Sequence, residues 1–149
     1  MTERIACHPE LRPRRSAVVL AAGPPPGWPG ITWTVRPEGR HGSRPALEMY
    51  VAGTLVDVLV ATPLSRAVLG GGRALRGRGE LAVAWGRQTA EGTPGVEFCP
   101  LPFGGRPRPA PVTPVGRWFW VAEADGRFAS VTVSHRGGRE RLRLRGIRP

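Results

Sequence analysis

The 149-residue chain has no lysine and no asparagine, 2 cysteines, a single tyrosine and no long apolar run. Each shortage excludes something. Without lysine there is no Walker A loop, although Gly70-Gly71-Gly72 with Gly77 and Gly79 offers the bare backbone amides that cradle phosphate. That stretch also lacks the strand and helix around a GxGxxG turn that a dinucleotide site needs, so it reads as a flexible surface loop. Cys7 and Cys99 make at most one disulfide, unlike a stapled secreted scaffold, and point to a reducing cytoplasm. The soft metal ligands are Cys7, His8, His41, Cys99 and His135, with neither CxxC nor HxxxH spacing, so no metal is assigned. No stretch reaches the roughly 18 apolar residues of a bilayer span, and a soluble chain is expected.

Acidic residues are also few. There are 11, against 22 basic residues that are all arginine, giving a net charge of +11. Lysine and asparagine have A/T-rich codons, so a GC-rich genome accounts for the choice of arginine but not for the shortage of carboxylates. Such a charge attracts nucleic acid, anionic surfaces or acidic proteins and says nothing about fold.

What is present is short alternating segments punctuated by turns. Asp125-Gly126 and Gly137-Gly138 predict two linked hairpins. The first sets Trp118, Trp120 and Ala122 opposite Val133, Val131 and Ala129; the second sets Val133 and Val131 opposite Leu142 and Leu144. Tryptophans and aliphatics then share one face. Phe119, Val121, Ser130, Thr132, Arg141, Arg143 and Arg145 fall on the other, because strand side chains alternate with period two. Gly53-Thr54 predicts a third hairpin, with Leu47, Met49 and Val51 opposite Val60, Val58 and Val56, and with Glu48, Tyr50 and Asp57 on its polar face. Ile31 to Val35 and Leu81 to Trp85 read as further strands.

Thr62, Pro63 and Gly70 bracket Leu64 to Leu69 as cap, first-turn proline and stop of a helix of at most two turns. Gly70 to Gly79 and residues 91–116 read as Gly/Pro-rich loops. Arg14 and Arg15 followed by Ala17 to Leu20 resemble the start of an export signal, but the apolar part is short and reads as a first strand or arm. The expected fold is all-β: one mainly antiparallel domain over residues 1–149, a β-sandwich or small barrel of about seven short strands, with 1–30 as an extended arm.

No catalytic constellation stands out. There is no GxSxG elbow. Cys99 with His135 is only formally a nucleophile and base, and His135 reads instead as a cross-strand partner of Glu140. Glu48 and Asp57 flanking Tyr50 could serve acid/base work in a cleft, but read as a solvated face. Arg108 to Pro114 (RPAPVTP) fits a polyproline ligand pattern and reads as a stiff linker, and Pro24 to Pro29 as a loop anchored by Trp28.

The candidate binding residues are the arginines. Arg141, Arg143 and Arg145, spaced about 6.8 Å apart on alternate positions of one strand, with Arg139 at the turn and Arg136 nearby, could follow an anionic partner; Arg73, Arg76 and Arg78 in the glycine loop could add contacts. The expected function is a non-enzymatic binding or adaptor module that engages another, acidic protein through the Arg-rich sheet face and Gly/Pro loops, with no cofactor. The alternative is a nucleic-acid-binding β domain gripping the phosphate backbone, although only Phe119 and Phe128 offer aromatic stacking there.

Overall fold

The computed structural model describes residues 31–36, 44–51, 53–62, 64, 67–75, 80–101 and 105–147. The predicted arm over 1–30, with Trp28, Cys7 and His8, lies outside them, as do His41, Arg76 and Arg78. The described residues form twelve strands and no helix. A three-stranded sheet has the order β1-β2-β3, from Ile31–Arg36, Ala46–Val51 and Thr54–Val60. A five-stranded sheet joins β4 (Leu69–Leu75), β5 (Leu81–Arg87), β8 (Val112–Val115), β9 (Phe119–Asp125) and β12 (Arg145–Ile147) in the order β12-β4-β5-β9-β8. The remaining strands, β6 (Gly95–Cys99), β7 (Arg108–Ala110), β10 (Ser130–His135) and β11 (Gly138–Arg143), form a four-stranded sheet ordered β11-β10-β6-β7. Only β12 and β4 run parallel, and none of the three sheets closes into a barrel.

The five-stranded sheet is the middle layer. On one side Ala82, Ala84, Trp120 and Ala122 pack against Val96, Phe98, Val131 and Val133 of the four-stranded sheet. On the other, Val83, Trp85, Phe119 and Val121 pack against Ile31, Trp33, Leu47 and Met49 of the three-stranded sheet. Burial on both faces explains why β5 and β9 open on almost uninterrupted apolar runs, LAVAW and FWVA. All-β architecture and the strands at 31–36 and 81–87 are as expected; several connections are not.

The Asp125-Gly126 signal does not close a hairpin. β9 pairs with β5 and β8, whereas β10 pairs with β6 and β11, so the chain crosses between layers there, and Gly126 N–H donates to Glu80 O at 2.7 Å. Trp120 and Val131 do share a core, but across layers rather than side by side. Phe119 and Val121, expected on the polar face, are buried in the second core, while Trp118, expected inside, is 37% exposed beneath the Arg117 guanidinium. The last hairpin turns on Arg136 and Gly137, two residues off the expected register, with His135 opposite Gly138 and Val131 opposite Leu142. A shift of two preserves the faces, so Leu142 still points inward and Arg141 outward.

The middle hairpin slips. Val51 pairs with Thr54, and a bulge between Met49 and Tyr50 brings Asp57, not Val58, opposite Met49. Val58 and Val60 are consequently exposed, and Asp57 turns inward, where its Oδ2 accepts from Trp85 Nε1 at 2.9 Å. A carboxylate on an apolar face is tolerable when an indole N–H is waiting for it.

Both expected loops contain strands. Residues 69–75 form β4, and 91–116 contain β6, β7 and β8. The glycines of β4 make room rather than turns: a Cβ on Gly71 would lie 2.5 Å from the Trp85 ring, and one on Gly72 2.7 Å from Leu144. The RPAPVTP stretch is divided between edge strands β7 and β8, where a proline costs no ladder bond. In place of the predicted helix, Thr62 Oγ1 accepts from Leu64 N–H as a cap would, but Val68 is buried and Leu69 begins β4. Tertiary bonds decide it: the amides of Val68 and Leu69 donate to the Glu140 carboxylate at 2.8 and 3.0 Å, and Val68 O accepts from Arg87 N–H.

Candidate anionic-partner surface

The outer face of the four-stranded sheet is built by strand alternation. Arg143, Ser130 and Cys99 stand in one cross-strand row, and Arg141, Thr132 and Glu97 in the next. Arg139, beside Ser134, completes an exposed line of three guanidinium groups along β11. Arg141 Nε and Nη2 donate to Ser130 Oγ at 3.2 and 3.0 Å, and Arg139 Nη2 donates to Glu97 Oε2 at 3.1 Å. Ser130 and Thr132 are buried beneath the longer side chains. A groove of about 640 Å³ opens beside the row, lined by Cys99, Thr132, Arg139 and Arg141 of the sheet and by Leu101 and Pro107 of the segment that follows β6.

The expected row of Arg141, Arg143 and Arg145 is broken after Arg143, and Arg139, expected at the turn, stands in the strand instead. Leu144 drops into the core, its N–H donating to Ala129 O at 2.8 Å, and the chain crosses to the middle sheet. Arg145 therefore pairs with Arg73 on β12 and β4, away from the row. Arg73 is half-buried, with its guanidinium carbon 5.7 Å from the centre of the Trp85 ring. Of the seven arginines singled out, three assemble on one face, two form a separate pair, and Arg76 and Arg78 fall outside the described residues. Arg136 occupies the adjoining turn.

Neither catalytic constellation assembles. Cys99 and His135 occupy opposite faces of their sheet; the thiol meets Thr132 Oγ1 at 3.7 Å. His135 forms the expected contact with Glu140, Nε2 to Oε1 at 3.0 Å, and its Nδ1 accepts from Gly137 N–H at 3.1 Å, so both ring nitrogens are committed. Glu48 and Asp57 part company because Asp57 turns inward. Glu48 instead accepts from Tyr50 Oη at 2.7 Å, pairs with Arg36 and accepts from Thr34 at 3.2 Å. The Tyr50 hydroxyl bond, with the Arg36 charge and the Thr34 bond, outweighs burial and holds the Glu48 carboxyl below its usual range. Among the described residues no three His, Cys, Asp or Glu side chains gather as a metal site, and no helix is long and apolar enough to cross a membrane.

Glu97, Leu101 and Pro107 were not singled out from the sequence. Val96-Glu97-Phe98-Cys99 alternates as a strand does, and that pattern was the available signal. The chain matches no protein-family model, no curated protein and no solved structure.

Proposed function

We propose that the chain is a non-enzymatic binding module whose outer four-stranded face receives an acidic segment of a partner protein. The observation that carries this is the exposed line Arg139, Arg141 and Arg143 beside a groove that Leu101 and Pro107 help to line. Guanidinium groups in a row suit carboxylates at alternate positions of an extended chain, since both repeat at about 6.8 Å. Nucleic acid is the weaker fit, because single-stranded binders interleave bases with aromatic rings. Phe119 and Phe128 are buried, and the rows on this face contain no ring. The positive charge of the whole chain would speed encounter with either partner.

The test measures fluorescence anisotropy of labelled acidic peptides and labelled single- and double-stranded DNA at low and physiological salt. The expected outcome is peptide binding that survives physiological salt and disappears in the Arg139→Ala, Arg141→Ala, Arg143→Ala triple variant. Tighter binding of DNA, lost in the same variant, would hand the face to nucleic acid. Retention of neither probe would overturn the proposal.

A further inference from the structure

We infer that Glu97 is a built-in competitor for the partner's carboxylate, and that the groove next to it seats an apolar side chain of the same segment. The inference rests on the reading of this face as a receptor for an acidic segment. Arg139 already has a carboxylate: Glu97 reaches it from β6 at 3.1 Å, across the sheet. The two side chains are 65% and 39% exposed, so the pair is solvated and contributes little to the fold. An incoming carboxylate can therefore replace Glu97 at little structural cost, and what it gains is reduced by what Glu97 gives up.

Arg141 is held differently. Its Nε and Nη2 are anchored on Ser130 Oγ, which fixes the plane of the guanidinium. Nη1 lies on the edge away from that bond, so the Nη1–Nη2 end remains for a carboxylate approaching end-on. One arginine is thus oriented by a neutral hydroxyl, while the other must be released from an acid. Arg139 and Arg141 also line the groove, together with Leu101, Pro107 and Cys99. At about 640 Å³ it is larger than any one side chain and has room for an aliphatic or aromatic residue together with its flanking backbone. The ligand class is an extended acidic segment with carboxylates at two alternate positions and one apolar residue beside them.

The experiment compares two labelled synthetic peptides, acidic at alternate positions and carrying either leucine or serine next to the acids, with the wild-type protein, Glu97→Gln and Leu101→Ser. Thermal melts confirm that each variant folds. Glu97→Gln is expected to bind the leucine peptide roughly three- to fivefold more tightly, as loss of an exposed competitor should allow. Leu101→Ser should weaken the leucine peptide and leave the serine peptide unchanged. In a Cys7→Ser background, the leucine peptide should also slow alkylation of Cys99. If the wild type binds through Arg139 and Arg141 but Glu97→Gln binds no better, Glu97 is not a competitor, although the binding reading stands. Equal losses for both peptides in Leu101→Ser would overturn the apolar seat. Failure of wild type and Glu97→Gln alike to bind either peptide would overturn both readings.

Discussion

The two faces of the middle sheet solve the same packing problem with different residues. Toward the four-stranded sheet, β5 and β9 present Ala82, Ala84, Ala122 and Ala124 around one large ring, Trp120. Toward the three-stranded sheet they present Leu81, Val83, Trp85, Phe119 and Val121. Each face nevertheless sets a tryptophan over a cross-strand glycine: Trp120 opposite Gly86, Trp85 opposite Gly71. The rings lie flat because no Cβ stands beneath them. The polar ends differ. Trp85 Nε1 finds Asp57, whereas Trp120 Nε1 is buried with no partner among the described residues. Similar pairs therefore carry different strains, and substitution should reveal them.

The glycines give the largest contrast. A Cβ on Gly86 would sit 1.9 Å from Val68 O, a backbone atom already accepting from Arg87 N–H, and 2.5 Å from the Trp120 ring. On Gly71 the obstruction is the Trp85 ring alone. Side chains yield more readily than backbone, so Gly86→Ala is expected to cost about 3 kcal/mol or more and Gly71→Ala about 1–2 kcal/mol. Urea unfolding of the pair measures this; equal costs would mean that both sites relax through the tryptophans.

Exchanging the tryptophans should give a smaller difference. Trp85→Phe and Trp120→Phe each remove the same atoms from a fully buried site. Only Trp85→Phe strands an acceptor, Asp57 Oδ2, while Trp120→Phe removes a donor that had nothing to bond. Trp85→Phe should therefore cost about 1–2 kcal/mol more than Trp120→Phe. Pairing Trp85→Phe with Asp57→Leu checks the cause, because the excess should largely vanish once the carboxylate is gone.

These contrasts also mark where the sequence could be read. The runs at 81–85 and 119–122 are recognisable as strand, but the polar face expected for Phe119 and Val121 rested on alternation, which fails when both faces are covered. Gly70-Gly71-Gly72 looks like a loop because glycine both breaks elements and makes room under rings; only the position of Trp85 and Leu144 decides between the two. Among the arginines, strand parity placed Arg141 and Arg143 on one face despite the shifted turn, and that shift brought Arg139 into the strand beside them. It could not foresee that a single bond from Leu144 to Ala129 would send Arg145 to another sheet. Nor does it reveal the Glu97–Arg139 pair, which spans 42 residues and needs β6 to lie beside β10.

Glu123 sharpens the comparison through pH. It follows Phe119 and Val121 along the large-residue face of β9, and its Oε1 is buried with no partner among the described residues. Burial, reinforced by the nearby Asp125 charge, raises its carboxyl above the ordinary value of 4.5. The folded chain thus holds this proton more tightly than the unfolded one, and protonation favours folding. The contribution is complete below the ordinary carboxylate range, falls as pH rises through the raised folded value, and is absent above it. Glu123→Gln, which cannot ionise, should melt higher than the wild type at neutral pH, with the gap closing as pH is lowered through that window. The opposing carboxylate is Glu48, whose lowered value makes stability fall as pH drops, in the wild type and in Glu123→Gln alike. The difference between the two melting curves isolates Glu123. A difference that does not change with pH would mean that this carboxyl is already solvated in the folded chain, and that the large-residue face is wetter at its Glu123 end than its packing implies.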